Sequence, residues 1–370
     1  MLGKTLSHRA LNRATLERQL LLRRVKLTAL EAVEHLAGLQ AQAPSPPYYA
    51  LWTRLHGFRQ EELSELLLSR AVARIVLMRG TVHLVSAADA LAWRPVVQVV
   101  MDRDLVSNMQ HARGIAHLDH AEVAAYARKL LAARPHTSAE LGAELEARWP
   151  GVPRSSLTHI ARGLLPLVQL PPRGVWGKSG QPRFQTADDW LGAPLDPRPS
   201  TERLIERYLA AFGPASVADA QTWMGVTRLG EVVDGMRSRL RVFRDPDGRE
   251  LFDLPDTPLP DEDTSAPPRL LGPFDQTLLS YADRTRMISD AHRKRVITQN
   301  GLVKGTILVE GYVRGSWEIT TARRTATLIV TPFERVAKRD VTALESAGAR
   351  LLRWAEPDAE SHEVHFAAVS

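Results

Sequence analysis

The chain has 370 residues, 44% of them hydrophobic and 24% charged, a formal net charge of +6 and no cysteine. That length and balance suit a soluble globular protein with two or three cores. No apolar run approaches the ~18 to 20 residues that span a bilayer and no secretory leader pattern opens the chain. The missing thiols exclude disulfides, iron–sulfur clusters and thiolate zinc sites, so the expected compartment is the reducing cytoplasm.

In chain order, residues 1–26 come first, with Lys4, Arg9, Arg13, Arg18, Arg23, Arg24 and Lys26 against the single acid Glu17. Such an arm suits phosphate attraction and counterion release, or is an ordinary solvated basic face. Leu27, Leu30, Val33, Leu36 and Leu39 then recur at three-residue steps and predict a helix. It should fray at about Gln40, because Pro44, Pro46 and Pro47 follow and proline pushes the preceding residue into extended geometry. A helix in EELSELLLSR leads into ARIVLMRGTVHLVS, read as two strands about a turn at Arg79-Gly80-Thr81.

The same plan recurs twice. HAEVAAYARKLLAARP is an amphipathic helix stopped before Pro135; Thr137 or Ser138 caps the next, beginning at Ala139; PRSSLTHIARGLLP is a third, followed by a hairpin with Lys178 at its tip. TERLIERYLAAFGPAS, VADAQTWMGV and TRLGEVVDGMRSRL precede a hairpin signalled by Asp247-Gly248. Helix–helix–helix–hairpin is the winged-helix plan. After the Pro- and acid-rich linker DLPDTPLPDEDTSAPP come three or four antiparallel strands in 301–334, the helix KRDVTALESAGARLLRWAE and a final strand HEVHFAAV. The expected fold is α+β: winged helices at 1–115, 116–195 and 196–256, then a β-rich α+β domain at 257–370.

Gln40 and Gln42, in GLQAQAPSPPY, raise a chemical question. Two residues apart on a helix, side chains diverge by roughly 200°; in an extended segment they share a side. Two amides can then meet one small object, or they simply cap free helix carbonyls. A glycosidic bond usually needs two carboxylates, one to protonate the leaving group and one to activate water. A purine alkylated on N7 is already cationic and leaves without protonation. What remains is to aim water at C1′, and two amide oxygens suffice for aiming.

GLQAQAPSPPY, LMRGTVHLVSAAD and LLGPFDQTLLSYADR together resemble the AlkZ-like, YcaQ-related winged-helix DNA glycosylases of the azinomycin-resistance type. The resemblance extends to nearly the full length and implies a C-shaped DNA-binding architecture. It matches the Gln-x-Gln catalytic motif to Gln40-Ala41-Gln42, where YcaQ-like members carry Asp at the second position. It therefore implies a monofunctional enzyme releasing bulky or crosslinked N7-alkylguanine from duplex DNA, leaving an abasic site, in repair or in self-resistance to an alkylating natural product. No cofactor or metal and no obligate protein partner are expected, and a monomer suffices.

Arg79 and His83, four apart, face one way if their segment is a strand, and would touch DNA or brace the glutamines. Arg154, Ser155 and Ser156 open the second unit's third helix, where phosphate commonly docks. Lys178, Arg314, Arg323 and Arg324 are further phosphate contacts or solvated charges. Trp317 is expected in the core and Asp275 in a structural or DNA-proximal role. The competing reading is a tandem winged-helix transcriptional regulator without chemistry, in which both glutamines are structural.

Overall fold

The computed structural model describes residues 4–369. The basic start of the chain does not project as an arm. Capped by Ser7, α1 (His8–Arg18) lies between the third helical unit and the C-terminal domain. Arg18 reaches Asp253 through two bonds of 2.7 Å, Arg13 donates to the Thr264 carbonyl, and Asn12 donates to the carbonyls of Arg286 and Gly311. Arg23 pairs with Glu17, and Arg24 lies over the Trp52 ring. The expected phosphate-binding arm is largely a structural strut.

α2 (Ala29–His35) starts with a reciprocal Thr28–Glu31 cap and is shorter than its leucine spacing suggests. Left-handed backbone at Ala37 (φ 55°) and Gly38 (φ 82°) ends it well before the first proline, Pro44. A Cβ on Gly38 would sit 2.5 Å from Val85, so only glycine lets the chain swing into β1 (Leu39–Gln40). The prolines begin an element instead: Pro46 and Pro47 occupy the first turn of α3 (Pro46–Arg54), where a missing N–H is harmless. Then come α4 (Gln60–Leu68), β2 (Val72–Val76), β3 (Val82–Ser86), α5 (Ala87–Val96), α6 (Gln98–Ser107) and α7 (Ala112–Ile115).

The second unit is α8 (His120–Ala133), β4 (His136–Thr137), α9 (Ser138–Arg148), α10 (Arg154–Leu164), β5 (Leu167–Gln169), β6 (Arg183–Thr186) and α11 (Ala187–Leu191). Thr137 caps α9 in a reciprocal box with Glu140. The third is α12 (Thr201–Phe212), α13 (Val217–Met224), α14 (Gly230–Met236), β7 (Arg241–Arg244) and β8 (Glu250–Asp253), with Gly248 at φ 83° in its turn. The helix–helix–helix–hairpin order thus occurs three times, but the first two hairpins are not separate. β2 pairs antiparallel with β5, joining them in one six-stranded sheet ordered β1-β3-β2-β5-β6-β4.

The C-terminal domain contains β9 (Arg269–Leu271), α15 (Asp290–Val296), β10 (Gly305–Val309), β11 (Tyr312–Ala322), β12 (Thr325–Pro332), α16 (Lys338–Ala355) and β13 (Ser361–Phe366). Its sheet runs β13-β12-β11-β10-β9 and is antiparallel except for β13, which lies parallel to β12 after the α16 crossover. Trp317 is buried there and donates to the Leu271 carbonyl at 2.8 Å.

The β1–β3 sheet is a wall between two cores. Leu39, Ala41, Val72, Val82 and Leu84 pack with α3, α16 and the C-terminal sheet. Ala73, Ile75 and Val85 pack on the opposite side with Trp93, Tyr208 and Trp223.

Candidate active site

At the edge of that wall, β1 runs antiparallel to β3 with Gln40 opposite His83. The Ala41 N–H donates to the Val82 carbonyl at 2.8 Å, so the chain stays extended past Gln40. Leu39 and Ala41 belong to one core, and strand alternation turns Gln40 toward the other side, while Gln42 follows in a bend just past the strand. Gln40 is 8% exposed, whereas Gln42 lies open to solvent.

Both amides are oriented by obligate donors. Arg79 Nη2 donates to Gln40 Oε1 at 2.7 Å, and the Val82 N–H donates to Gln42 Oε1 at 3.1 Å. Neither donor can accept, so each oxygen is fixed at the bonded end, with one lone pair left over. Arg79 sits in the turn that the sequence indicates, so it does not share a strand face with His83. It occupies the β2–β3 turn in left-handed backbone at φ 56°, and its Nη1 donates to the Trp223 carbonyl at 2.8 Å. Gly225 permits that approach, since a Cβ there would lie 2.9 Å from Arg79 Cα. Burial, then the Arg284 charge, push the Arg79 guanidinium down to about 10.

His83 is buried beside it. Its Nδ1 lies 3.0 Å from the Thr81 carbonyl, which requires the proton on Nδ1 and leaves Nε2 as an acceptor. Burial first, and the Arg79 charge second, push the imidazole down to about 3. A base that weak holds little proton at neutral pH.

Sequence reasoning passed over Arg74. It is fully buried, and its guanidinium donates to the carbonyls of Ala41 (2.9 Å) and Ala43 (3.3 Å), the residues flanking Gln42, and to Gln169 Oε1. Burial, then Arg173, push it down to about 10. The signal was an arginine inside the apolar strand VARIV, where a cation survives only with a task.

Asp275 is buried and takes two bonds from Arg54, at 2.8 and 3.0 Å. Burial alone would raise its carboxyl, but Arg54 and Thr277 outweigh that and hold it below the ordinary range. It is a structural anion with no proton to give.

Lys178 is exposed beside Pro44 and Ser45, in a hollow of about 450 Å³ that Tyr49 and Trp176 also line. The remaining sequence candidates lie apart from the glutamines. Arg154 pairs with Glu146, Ser155 is exposed, and Ser156 is buried with its hydroxyl 3.1 Å from His111 Nδ1. Arg314 pairs with Glu334 at 2.8 Å. Arg323 and Arg324 form the left-handed turn between β11 and β12, and Arg324 pairs with Glu360. Among the described residues, no three His, Asp or Glu side chains are placed to hold a metal, and no helix is long and apolar enough to cross a membrane.

Known proteins share this fold. The solved Streptomyces sahachiroi DNA glycosylase AlkZ has the same fold, with a TM-score of 0.82 at 23% identity, covering 98% of this chain and 100% of that one. A curated relative from Streptomyces sahachiroi, an interstrand DNA cross-link repair glycosylase, is 27% identical over 360 residues, 91% of this chain and 94% of its own length. The model of the family "DNA glycosylase AlkZ-like" matches residues 33–354, a span that includes both glutamines, Arg79 and Asp275. The chain belongs to the AlkZ-like family and is a DNA glycosylase.

Proposed function

We propose that the enzyme hydrolyses the N-glycosidic bond of N7-alkylated guanine in duplex DNA, bulky and crosslinked adducts included, and leaves an abasic site. Gln40 and Gln42 hold the attacking water between their free lone pairs. Alkylation at N7 has already made the base a cationic leaving group, so no acid is needed, and Asp275, salt-bridged and buried, offers none. Neutral amides do little for an intact nucleotide, which spares undamaged DNA. Arg79 and His83 brace Gln40, and Lys178 with the other basic candidates meets the backbone. The enzyme acts as a cytoplasmic monomer, without cofactor, in repair or in self-resistance to an alkylating natural product.

One observation supports this reading: Gln40 in β1 and Gln42 two residues on each have the oxygen end of the amide fixed by a donor that cannot accept. The relative's name, with its cross-link repair, supports large lesions. A non-catalytic regulator gains nothing from oriented amides, and the family assignment removes its main attraction.

The test is single-turnover base release from a duplex carrying one N7-alkylguanine, read as strand cleavage after mild alkaline heating. Gln40→Ala and Gln42→Ala should each slow release by roughly 100-fold or more while duplex affinity survives. Release at the parental rate by both variants would remove the glutamines from the chemistry.

A further inference from the structure

Most arginines here have a carboxylate, but those near the β2–β3 hairpin do not. Where the β2–β3 turn, α6 and α10 meet, a cleft of about 350 Å³ is walled by Arg79, Arg103, Arg162, His159, Asp104 and Asn108. Among the described residues, none of these three guanidiniums has a carboxylate within 4.0 Å. Arg103 and Arg162 both reach solvent, and Arg162 lies over the Phe184 ring at 5.8 Å. Beside them His159 Nε2 is buried without a hydrogen-bond partner, 3.5 Å from Asp104 Oδ2. The floor is braced, because the Gly163 carbonyl accepts from both Arg94 (2.9 Å) and Gln98 (3.1 Å).

Three guanidiniums gathered around a single carboxylate raise the energy of the free protein through mutual repulsion. An incoming anion relieves that repulsion, and a guanidinium fork matches the two oxygens of a phosphodiester. We infer that this cleft holds a backbone phosphate of the bound DNA, gripped by Arg103 and Arg162 and faced by Arg79. This rests on the enzyme acting on duplex DNA but not on which base it removes. Arg79 gives the site its consequence, since the same guanidinium holds Gln40 Oε1 at 2.7 Å. A phosphate seated here is therefore tied to the catalytic amide by one side chain, which sets the strand's register relative to the water. Asp104 is the carboxylate on the wall and opposes the anion, so its removal must act in the opposite direction to loss of an arginine.

The measurement is the affinity of the full-length protein for an intact, lesion-free duplex across a salt series, by fluorescence anisotropy. Arg103→Gln and Arg162→Gln should each weaken binding several-fold at ~0.1 M salt and flatten the slope of log K against log salt by about 0.9. Asp104→Asn should tighten binding several-fold. Arginine variants with the parental slope, or an Asp104 variant weakened like them, would overturn the inference. All three positions are at the surface, so thermal unfolding should stay parental and a binding loss should not reflect unfolding. Because the duplex carries no lesion, failure here leaves the alkylguanine reading untouched, and failure of base release leaves this site untouched.

Discussion

The N-terminal helix and the β2–β3 hairpin beside the two glutamines use the same side chain in opposite ways. Arg18 in α1 is buried with a bidentate partner, Asp253, itself fully buried. Arg74 and Arg79, in and after β2, are held by backbone carbonyls and a neutral glutamine, with no carboxylate. A paired buried charge is a structural joint: its attraction is satisfied, and losing one member strands the other. An unpaired one is energetically unfavourable in the free protein, and is retained for what it positions or what it waits for. Net charge read from sequence does not separate the two kinds of arginine, because it counts cations without their partners.

That contrast breaks most visibly at the joint. Arg18→Ala leaves the Asp253 carboxylate buried and alone, and should cost about 3–5 kcal/mol of folding stability. Denaturant unfolding checks it, and base release per folded molecule should stay near the parental rate. A loss below ~1 kcal/mol would mean the strut is not anchored through this pair. The hairpin should behave in reverse. Arg74→Met frees the Ala41 and Ala43 carbonyls, so Gln42 loses its support while a costly buried cation disappears. The single-turnover rate at saturating DNA should fall about 10- to 100-fold, ~1.4 to 2.7 kcal/mol of barrier, with duplex affinity retained and a much smaller stability change than at Arg18. Equal losses in rate and binding would make Arg74 a general structural residue.

Legibility in the sequence followed the range of the interaction. Local signals transferred well: the Asp247-Gly248 turn, the Thr137 cap, the third helix of each later unit and the burial of Trp317 are where their residues indicate. Gln40 also came out opposite His83 and away from the core that holds Leu39 and Ala41, since alternation is a local rule. Long-range partners were illegible. Nothing in residues 72–76 announces that β2 pairs with β5 almost a hundred residues on, or in 8–18 that Arg18 belongs to Asp253. Two failures were local but ambiguous. A leucine at every third position fits a helix running to Leu39, until Ala37 and Gly38 take left-handed backbone against Val85. A proline pair serves equally as a stop or a start, and here it starts α3. The turn at Arg79-Gly80-Thr81 is where the sequence indicates, so the conditional strand facing of Arg79 and His83 does not apply.

The smallest effect tests whether the hairpin's charge is truly uncompensated. His83 is held near 3, by burial and by Arg79, against an ordinary 6.5. Its folded pKa is depressed, so the unfolded chain binds a proton more readily than the folded one. Stability from the neutral imidazole is therefore complete above about pH 6.5 and lost as pH falls toward 3, at a limiting slope of ~1.4 kcal/mol per pH unit. Between pH 7.5 and 5.0 that amounts to about 2 kcal/mol. His83→Gln offers an N–H to the Thr81 carbonyl without titrating, so its unfolding free energy should fall less than the parent's over that interval, by about this amount. Titration elsewhere in the chain is common to both proteins and cancels in the difference. Parallel pH profiles would mean that His83 picks up its proton in the folded state as readily as in the unfolded chain. Arg79 would then need a counter-ion near it, and the distinction between a paired helix and an unpaired hairpin would fail at its most sensitive residue.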